Sequence, residues 1–226
     1  MKFLRLISTF VAALCVYAPV FAQKAETVDQ GQILKIESKF MQGKWFTAKF
    51  KQTFHNAAMG TVEVSGGTVA VEKPLKMRWE YKTPQEQTIV ADGKAVYFYV
   101  PSEKRAIVEQ MGNVINSRSP ALFLAGGRRL EEIFVVKPPQ KGDEIGKMDG
   151  KILLSLEPKE KGVSVSRMVL AVDAADYSVR AISLYDWAGN RSDIEFLGME
   201  INGKIDHGQF VFKKPAGVEL LDTPKF

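Results

Sequence analysis

The chain has 226 residues, 46% of them hydrophobic, and a formal net charge of +5. This small positive excess is interspersed with acidic residues, and the closest basic cluster, Arg128-Arg129, is followed at once by Glu131-Glu132, so the sequence does not predict a nucleic-acid-binding surface. A single cysteine excludes a disulfide within the chain, so stability must come from a hydrophobic core alone.

The first 22 residues have the pattern of a cleaved signal peptide. Two basic residues precede an apolar run at residues 6–17, and Val20-Phe21-Ala22 offers small residues at the positions that a signal peptidase reads. The run is shorter than the roughly 20 residues that span a bilayer, which argues against a membrane anchor. We therefore expect residues 1–22 to be removed and residues 23–226 to form one exported domain.

The mature sequence predicts one long helix followed by many short strands. Residues 27–42 have apolar side chains at helical spacing, and Gly43 stands where a left-handed C-cap is expected. From Trp45 onward the apolar residues alternate with period two, which predicts strands. The predicted strands cover residues 45–55, 61–65, 68–72, 75–81, 88–91, 95–100, 105–109, 152–156, 163–172, 179–185, 192–197 and 209–212. Regular short strands of this kind predict a sandwich or a barrel.

The strand at residues 75–81 has one apolar face and one charged face. The apolar side chains are Met77, Trp79 and Tyr81, and the charged side chains between them alternate to the other face. Further on, Asp92-Gly93 predicts a tight hairpin that places Ile89 opposite Val96. The sheet therefore has a large apolar face, and from the pattern alone a filled core is the better interpretation of it.

Two segments interrupt the strands. Ser119-Pro120 predicts a short helix over residues 121–125, which Gly126-Gly127 ends. Residues 138–146 contain two prolines and two glycines and predict a loop.

No motif of the sequence indicates an enzyme. His55 and His207 lie far apart, and neither stands in an HExxH or phosphate-loop context. Aspartates such as Asp92 and Asp149 occupy or flank predicted turns, where the backbone favours them. We therefore expect no catalytic activity, no cofactor and no metal.

A series of short motifs follows in a fixed order along nearly the whole mature chain. They are Phe46-x-Ala48-x-Phe50-x-Gln52, Gly67, Lys73-Pro74, Arg78-Trp79, Pro84, Asp92-Gly93-Lys94, Tyr99-x-Pro101, Ser119-Pro120, Leu156-x-Pro158 and Phe210-x-Phe212-x-x-Pro215-x-Gly217-Val218. Their order and spacing resemble those of the LolA family of bacterial periplasmic carriers, which move lipoproteins from the inner to the outer membrane. The resemblance implies one mainly β domain with some α structure, in which a curved antiparallel sheet forms an incomplete, unclosed β-barrel covered by a helical lid.

The resemblance also implies a cavity for acyl chains and a latch for the lid. The residues that match the family's cavity are Phe40, Met77, Trp79, Ile89, Leu122, Phe123 and Leu124, and a tight Asp92-Gly93 turn would add Phe98. Lys73 occupies the position at which the best-known members carry an arginine that holds the lid shut. Because lysine is a point charge without the planar fork of arginine, a latch made by Lys73 would be looser, or the ligand would differ.

The implied partners are lipoprotein acyl chains, an inner-membrane ABC transporter of the LolCDE type and an outer-membrane acceptor of the LolB type, with the protein acting as a monomer in the periplasm. Two alternatives stay open. Lys73 favours a LolA-like carrier of another lipid for a different exporter, and the same barrel could also serve as a lipid-sensing or interaction module without transport.

Overall fold

The structure is a computed structural model that describes residues 29–111, 129–143, 145, 149–160, 162 and 164–222. The predicted signal peptide and the predicted helix at residues 121–125, with Leu122, Phe123 and Leu124, lie outside the described residues. In chain order, the described elements are α1 (Gln30–Gln42), β1 (Trp45–Asn56), β2 (Thr61–Glu72), β3 (Lys76–Thr83), β4 (Gln87–Asp92), β5 (Ala95–Val100), the 3₁₀ helix η1 (Pro101–Glu103), β6 (Arg105–Gln110), α2 (Leu130–Ile133), β7 (Phe134–Lys137), β8 (Lys151–Pro158), β9 (Val165–Asp173), β10 (Val179–Asp186), β11 (Arg191–Ile201), the 3₁₀ helix η2 (His207–Phe210) and β12 (Glu219–Asp222).

The strands form a single sheet of twelve in the order β12-β6-β5-β4-β3-β2-β1-β11-β10-β9-β8-β7. All neighbours are antiparallel except β12 and β6, which run parallel. Within the described residues the edge strands β12 and β7 do not pair with each other, so the barrel stays unclosed. The predicted mainly β fold with an incomplete barrel is confirmed.

The sheet is curved, and its concave side, the inner face, carries the main hydrophobic core. Trp79 on β3 and Phe196 on β11 are separated by two strands, which in a flat sheet would place their backbones about 14 Å apart. Their ring centroids are only 6.3 Å apart. Large side chains on one face converge in this way because the sheet bends around them.

Two loops cover parts of the opposite, outer face. Phe210 in η2 is buried, and the Phe212 ring stacks on Tyr97 of β5 with a centroid distance of 4.8 Å. At the other end of the same outer face, the predicted loop at residues 138–146 places Asp143 2.6 Å from the Arg167 guanidinium on β9. The described part of this loop is therefore fixed to the outer face by a buried ion pair.

Helix α1 lies on the core through one apolar edge. Ile33 and Ile36 are buried, and the Asp29 side chain caps the helix by accepting a hydrogen bond from the Gly31 N–H at 2.9 Å. The buried Glu37 carboxylate accepts hydrogen bonds from the Arg129 guanidinium, the shorter at 3.1 Å. Polar contacts therefore join α1 to the chain that leads into α2.

The Asp92-Gly93 hairpin differs from its prediction by two residues. Ile89 pairs with Phe98, not with Val96. The Asp92 side chain accepts hydrogen bonds from the Lys94 and Ala95 N–H groups, so Asp92 precedes the turn, and Gly93 adopts the positive φ of +92°. Because the shift is an even number of residues, it does not change the face on which each side chain lies.

Three other local predictions were wrong. Gly43 has a φ of −71°, so it is not a left-handed cap; its Cα packs close to Ile201. The predicted strands at residues 61–65 and 68–72 are one strand, β2, because Gly66 and Gly67 form a register shift and not a turn. The predicted strand at residues 209–212 is replaced by η2, which the Asp206 side chain caps.

Sequence reasoning missed α2, β7 and β12. Each of them has only four residues, which is too short for a periodic pattern.

Candidate functional site

A row of four apolar side chains crosses the inner face from β3 to β6. Trp79 lies opposite Ile89, Ile89 opposite Phe98, and Phe98 opposite Ile107, so all four share one face of the sheet. We call them the open row, because exposure increases along it. Trp79 is 5% exposed, the middle two side chains are partly buried, and Ile107 is 47% exposed.

A second row crosses the same face from β8 to β11 and is completely packed. Its members face one another in the same way: Leu154, Leu170, Ile182 and Ile194. The first three are at most 2% exposed and the last is 8% exposed. We call them the packed row. The inner face is therefore filled core at the packed row and partly accessible apolar surface at the open row, where Ile107 is the most exposed member.

Aromatic rings extend the inner face from the open row toward β1. The Phe50 ring on β1 makes edge contacts with Trp79 at 4.8 Å and with Tyr81 at 4.9 Å between ring centroids. Gly67 lies between Phe50 and Tyr81 on the intervening strand, and because it has no side chain the two rings meet above it. The Tyr81 hydroxyl donates a hydrogen bond to Gln52 Oε1 at 2.8 Å, and burial raises the pKa of Tyr81 to about 12, so the group stays neutral at ordinary pH.

Lys73 holds the C-terminal end of α1. Its ammonium donates a hydrogen bond to the Phe40 carbonyl oxygen and lies 3.5 Å from the centroid of the Phe40 ring. The last four carbonyls of a helix lack intrahelical partners, so the Phe40 oxygen is available as an acceptor, and a cation at this end also interacts favourably with the helix dipole. Burial lowers the pKa of Lys73 to about 8.

A small, partly enclosed space of about 40 Å³ lies under this end of α1, and we call it the helix-end pocket. Phe40, Lys39 and Lys73 line it on the helix side. Strands β1 and β11 supply the apolar floor, and Tyr177 and Ser178 supply the polar part of the far wall.

Five of the predicted cavity residues can be placed. Met77 and Trp79 are buried members of the core, while Phe40, Ile89 and Phe98 are partly buried and pack against it. Leu122, Phe123 and Leu124 lie outside the described residues. Sequence reasoning did not include Ile107 or Phe50 in the site, although the β5–β6 register would have identified Ile107 as the partner of Phe98.

The comparisons with known proteins agree with this architecture. A family model described as outer membrane lipoprotein carrier protein LolA matches residues 42–213. The chain belongs to the LolA family. The resemblance that the ordered motifs indicated is thereby confirmed.

Curated LolA-family relatives match over most of their length. The chain is 27% identical over 205 residues to an outer-membrane lipoprotein carrier protein of Azotobacter vinelandii, covering 90% of this chain and 94% of the relative. It is 32% identical over 174 residues to a protein of the same name from Nitrosospira multiformis, covering 77% and 80%.

Among solved structures, an uncharacterized conserved protein of Thermus thermophilus superposes with a TM-score of 0.50 at 12% identity, covering 85% of this chain and 98% of that one. At this identity the likeness shows the fold alone. None of the helices in the described residues is long and apolar enough to cross a membrane.

Proposed function

We propose that this protein is a periplasmic carrier that binds the acyl chains of lipoproteins on its inner face and moves them from the inner to the outer membrane. Its family and the names of its relatives support this proposal. In this proposal residues 1–22 are the cleaved signal peptide, and residues 23–226 are the lipid-binding domain.

The observation that carries the proposal is the open row. Ile89, Phe98 and Ile107 are apolar side chains that the fold leaves partly or largely accessible, next to a second row that the same fold packs completely. Each methylene group of a bound acyl chain that leaves water contributes about 0.8 kcal/mol. Such binding needs no directed hydrogen bonds, so one surface can accept the lipid of many different cargo proteins.

Helix α1 and Lys73 are the second part of the proposal. We assign α1 to the lid and Lys73 to its latch, because the Lys73 ammonium binds a backbone oxygen of the last helical turn. Leu122, Phe123 and Leu124, which lie outside the described residues, complete the proposed acyl site together with Phe40, Met77 and Trp79.

The proposed partners follow from the direction of transport. The carrier would take cargo from an inner-membrane ABC transporter of the LolCDE type and deliver it to an outer-membrane acceptor of the LolB type. A purely apolar site has no chemistry that would release its ligand, so delivery requires either opening of the lid or an acceptor of higher affinity.

The test compares two exposed apolar residues on opposite faces of the sheet. Ile107 is 47% exposed at the end of the open row, and Val62 on β2 is 57% exposed on the outer face, opposite His55. Ile107→Asn should weaken binding of a synthetic triacylated lipopeptide about fivefold, because the amide replaces apolar contact area that contributes about 1 kcal/mol to the binding free energy. Val62→Asn is the matched control and should leave the affinity unchanged. Equal effects of the two substitutions would contradict the assignment of the site.

A second candidate function is carriage of another lipid for a different exporter. Lys73 supports it, because a single ammonium replaces the arginine of the best-known family members and makes one directed hydrogen bond to α1. Native mass spectrometry of the mature protein purified from its own periplasm separates the two candidates: a co-purified lipoprotein supports the first, and a co-purified free lipid supports the second.

A further inference from the structure

Lys73 carries a half-buried positive charge without an acidic partner in the part of the chain that the structure describes. Its ammonium contacts the Phe40 oxygen and the Phe40 ring, and no ion pair joins it to a described carboxylate. The nearest lysine on β3 differs, since Lys76 pairs with Glu72 at 2.9 Å. Glu72 also binds His207 at 2.5 Å, so the carboxylate next to Lys73 in sequence is already engaged.

The helix-end pocket beside Lys73 has apolar walls and basic groups, and none of its described lining residues is acidic. Lys39 and Lys73 are its two charged members, and Lys35 lies near its rim, 3.4 Å from the Tyr177 hydroxyl. The apolar side chains that form the floor and walls are Trp45, Phe46, Val179, Phe196, Met199 and Ile201. Apolar walls with an unbalanced ammonium complement an acyl chain that ends in an anionic group.

We propose that the helix-end pocket binds a single-chain lipid with an anionic head group, that the head group pairs with Lys73, and that this pairing releases the last turn of α1. Phe40 links the two events. Its oxygen and its ring both contact the Lys73 ammonium, and the same residue forms one wall of the pocket. An anion that takes the ammonium therefore removes both contacts that Lys73 makes with the helix end.

The size of the pocket also indicates that the helix end must move when a lipid binds. A space of about 40 Å³ admits only the first carbons of a chain. A longer chain enters only when the helix end moves outward, which is the movement that loss of the Lys73–Phe40 contact permits. This inference goes beyond the proposed carriage of lipoproteins, since it concerns a charged ligand and a pocket that shares Phe40, but not Met77 or Trp79, with the proposed acyl site.

The binding test uses sodium decanoate and uncharged 1-decanol, both below the concentration at which they aggregate, in calorimetric titrations of the mature protein. We expect decanoate to bind about tenfold more tightly than decanol, because only its carboxylate makes a charge-assisted contact with the Lys73 ammonium. Lys73→Gln should abolish the preference, and Lys73→Arg should keep it. Lys49→Gln, at an exposed lysine on β1, is the matched control and should also keep it.

Two results would overturn the site: equal affinity of the wild-type protein for the two probes, or an unchanged preference in Lys73→Gln. The wild-type comparison decides the question even if a variant does not fold. Because Ile107 is not among the residues that line the pocket, Ile107→Asn should leave the decanoate preference intact. Failure of the lipoprotein proposal and failure of this one are therefore distinguishable.

The release of α1 is tested separately by hydrogen exchange with and without saturating decanoate. Amides in the last turn of α1 should exchange several-fold faster when decanoate is bound, while amides of β9 in the packed half of the sheet should not change. Unaltered exchange in α1 at saturation would show that the anion does not release the helix.

Discussion

The open row and the packed row are two parts of one inner face, and they differ in how far their side chains are buried. Leu170 on β9 is fully buried, whereas Ile107 on β6 keeps 47% of its surface exposed, although both lie on the same side of the same sheet. Both residues lie within runs of apolar residues, 168–172 on β9 and 106–108 on β6. The position of a side chain along its strand therefore identifies its face, and only the elements that pack on that face decide whether it becomes filled core or stays accessible.

The comparison also separates stability from function within one sheet. The packed row can supply the hydrophobic stabilisation that a domain without disulfides needs. The open row is then free to gain its burial from a ligand, because its side chains still have apolar area to remove from water. Substitutions in the two rows and at the glycine between them test this division, and a pH titration tests the helix that lies on the inner face.

The largest expected effect is on stability in the packed row. Leu170→Ala should lower the free energy of unfolding by about 3 kcal/mol, because it leaves a cavity among buried side chains. Ile89→Ala in the open row should cost about 1 kcal/mol, since Ile89 is only partly buried. Urea unfolding of both variants measures the difference, and the lipopeptide titration should show the reverse order of effects. Equal losses of stability would mean that the open row is also filled core.

The next effect concerns Gly67, where the rings of Phe50 and Tyr81 meet. A Cβ atom at this position would lie 1.7 Å from the backbone oxygen of Glu80, so β2 and β3 would have to separate. Gly67→Ala should therefore cost about 2 kcal/mol of stability. Hydrogen exchange should accelerate in β3 and β4, while β8 and β9 in the packed half stay protected. Gly60, at the open end of the β1–β2 hairpin, has no atom within 4 Å of such a Cβ, but its φ of +63° adds strain of its own.

Gly66→Ala is therefore the better control, because its added Cβ would approach the nearest backbone oxygen only to 3.1 Å. A loss of stability in Gly66→Ala as large as in Gly67→Ala would contradict the role given to the close approach of β3.

The sequence predicted the faces of the sheet well, because a face depends only on period-two alternation. Met77 and Trp79 were assigned to the apolar face and are core residues in the structure. The face of Phe98 was also right although the predicted pairing of Ile89 with Val96 was wrong, because the register error was two residues. The order of β11 next to β1 could not be predicted in this way, and the contact of Trp79 with Phe196 depends on it.

The helix-end pocket could not be predicted from local patterns. The motif comparison marked Lys73 as a latch candidate, but its acceptor, the Phe40 oxygen, is set by the packing of α1 on the curved sheet. Gly43 shows the same limit. A glycine after a helix usually indicates a left-handed cap, yet here its backbone is extended and its missing side chain allows close packing against Ile201.

The smallest expected effect concerns α1, which covers part of the inner face, and the lysine that holds its end. Burial lowers the pKa of Lys73 from its ordinary value of 10.5 to about 8 in the folded protein. Above pH 8 the folded protein loses this proton, while the unfolded chain keeps it up to about pH 10.5, so the unfolded state binds more protons in this window. The contribution of Lys73 to the free energy of unfolding should therefore rise with pH between these two values.

Lys73→Met removes this contribution and provides the reference. Between pH 8 and 10.5 the stability of the wild-type protein should rise relative to that of Lys73→Met by about 1 kcal/mol, because solvent screens the half-buried ammonium, and below pH 8 the two curves should run parallel. Urea unfolding across this pH range measures the difference, in which contributions from the other lysines and tyrosines cancel. Curves that stay parallel up to pH 10.5 would show that the Lys73 ammonium remains solvated, and α1 would then lie less closely on the inner face than its contacts with Lys73 require.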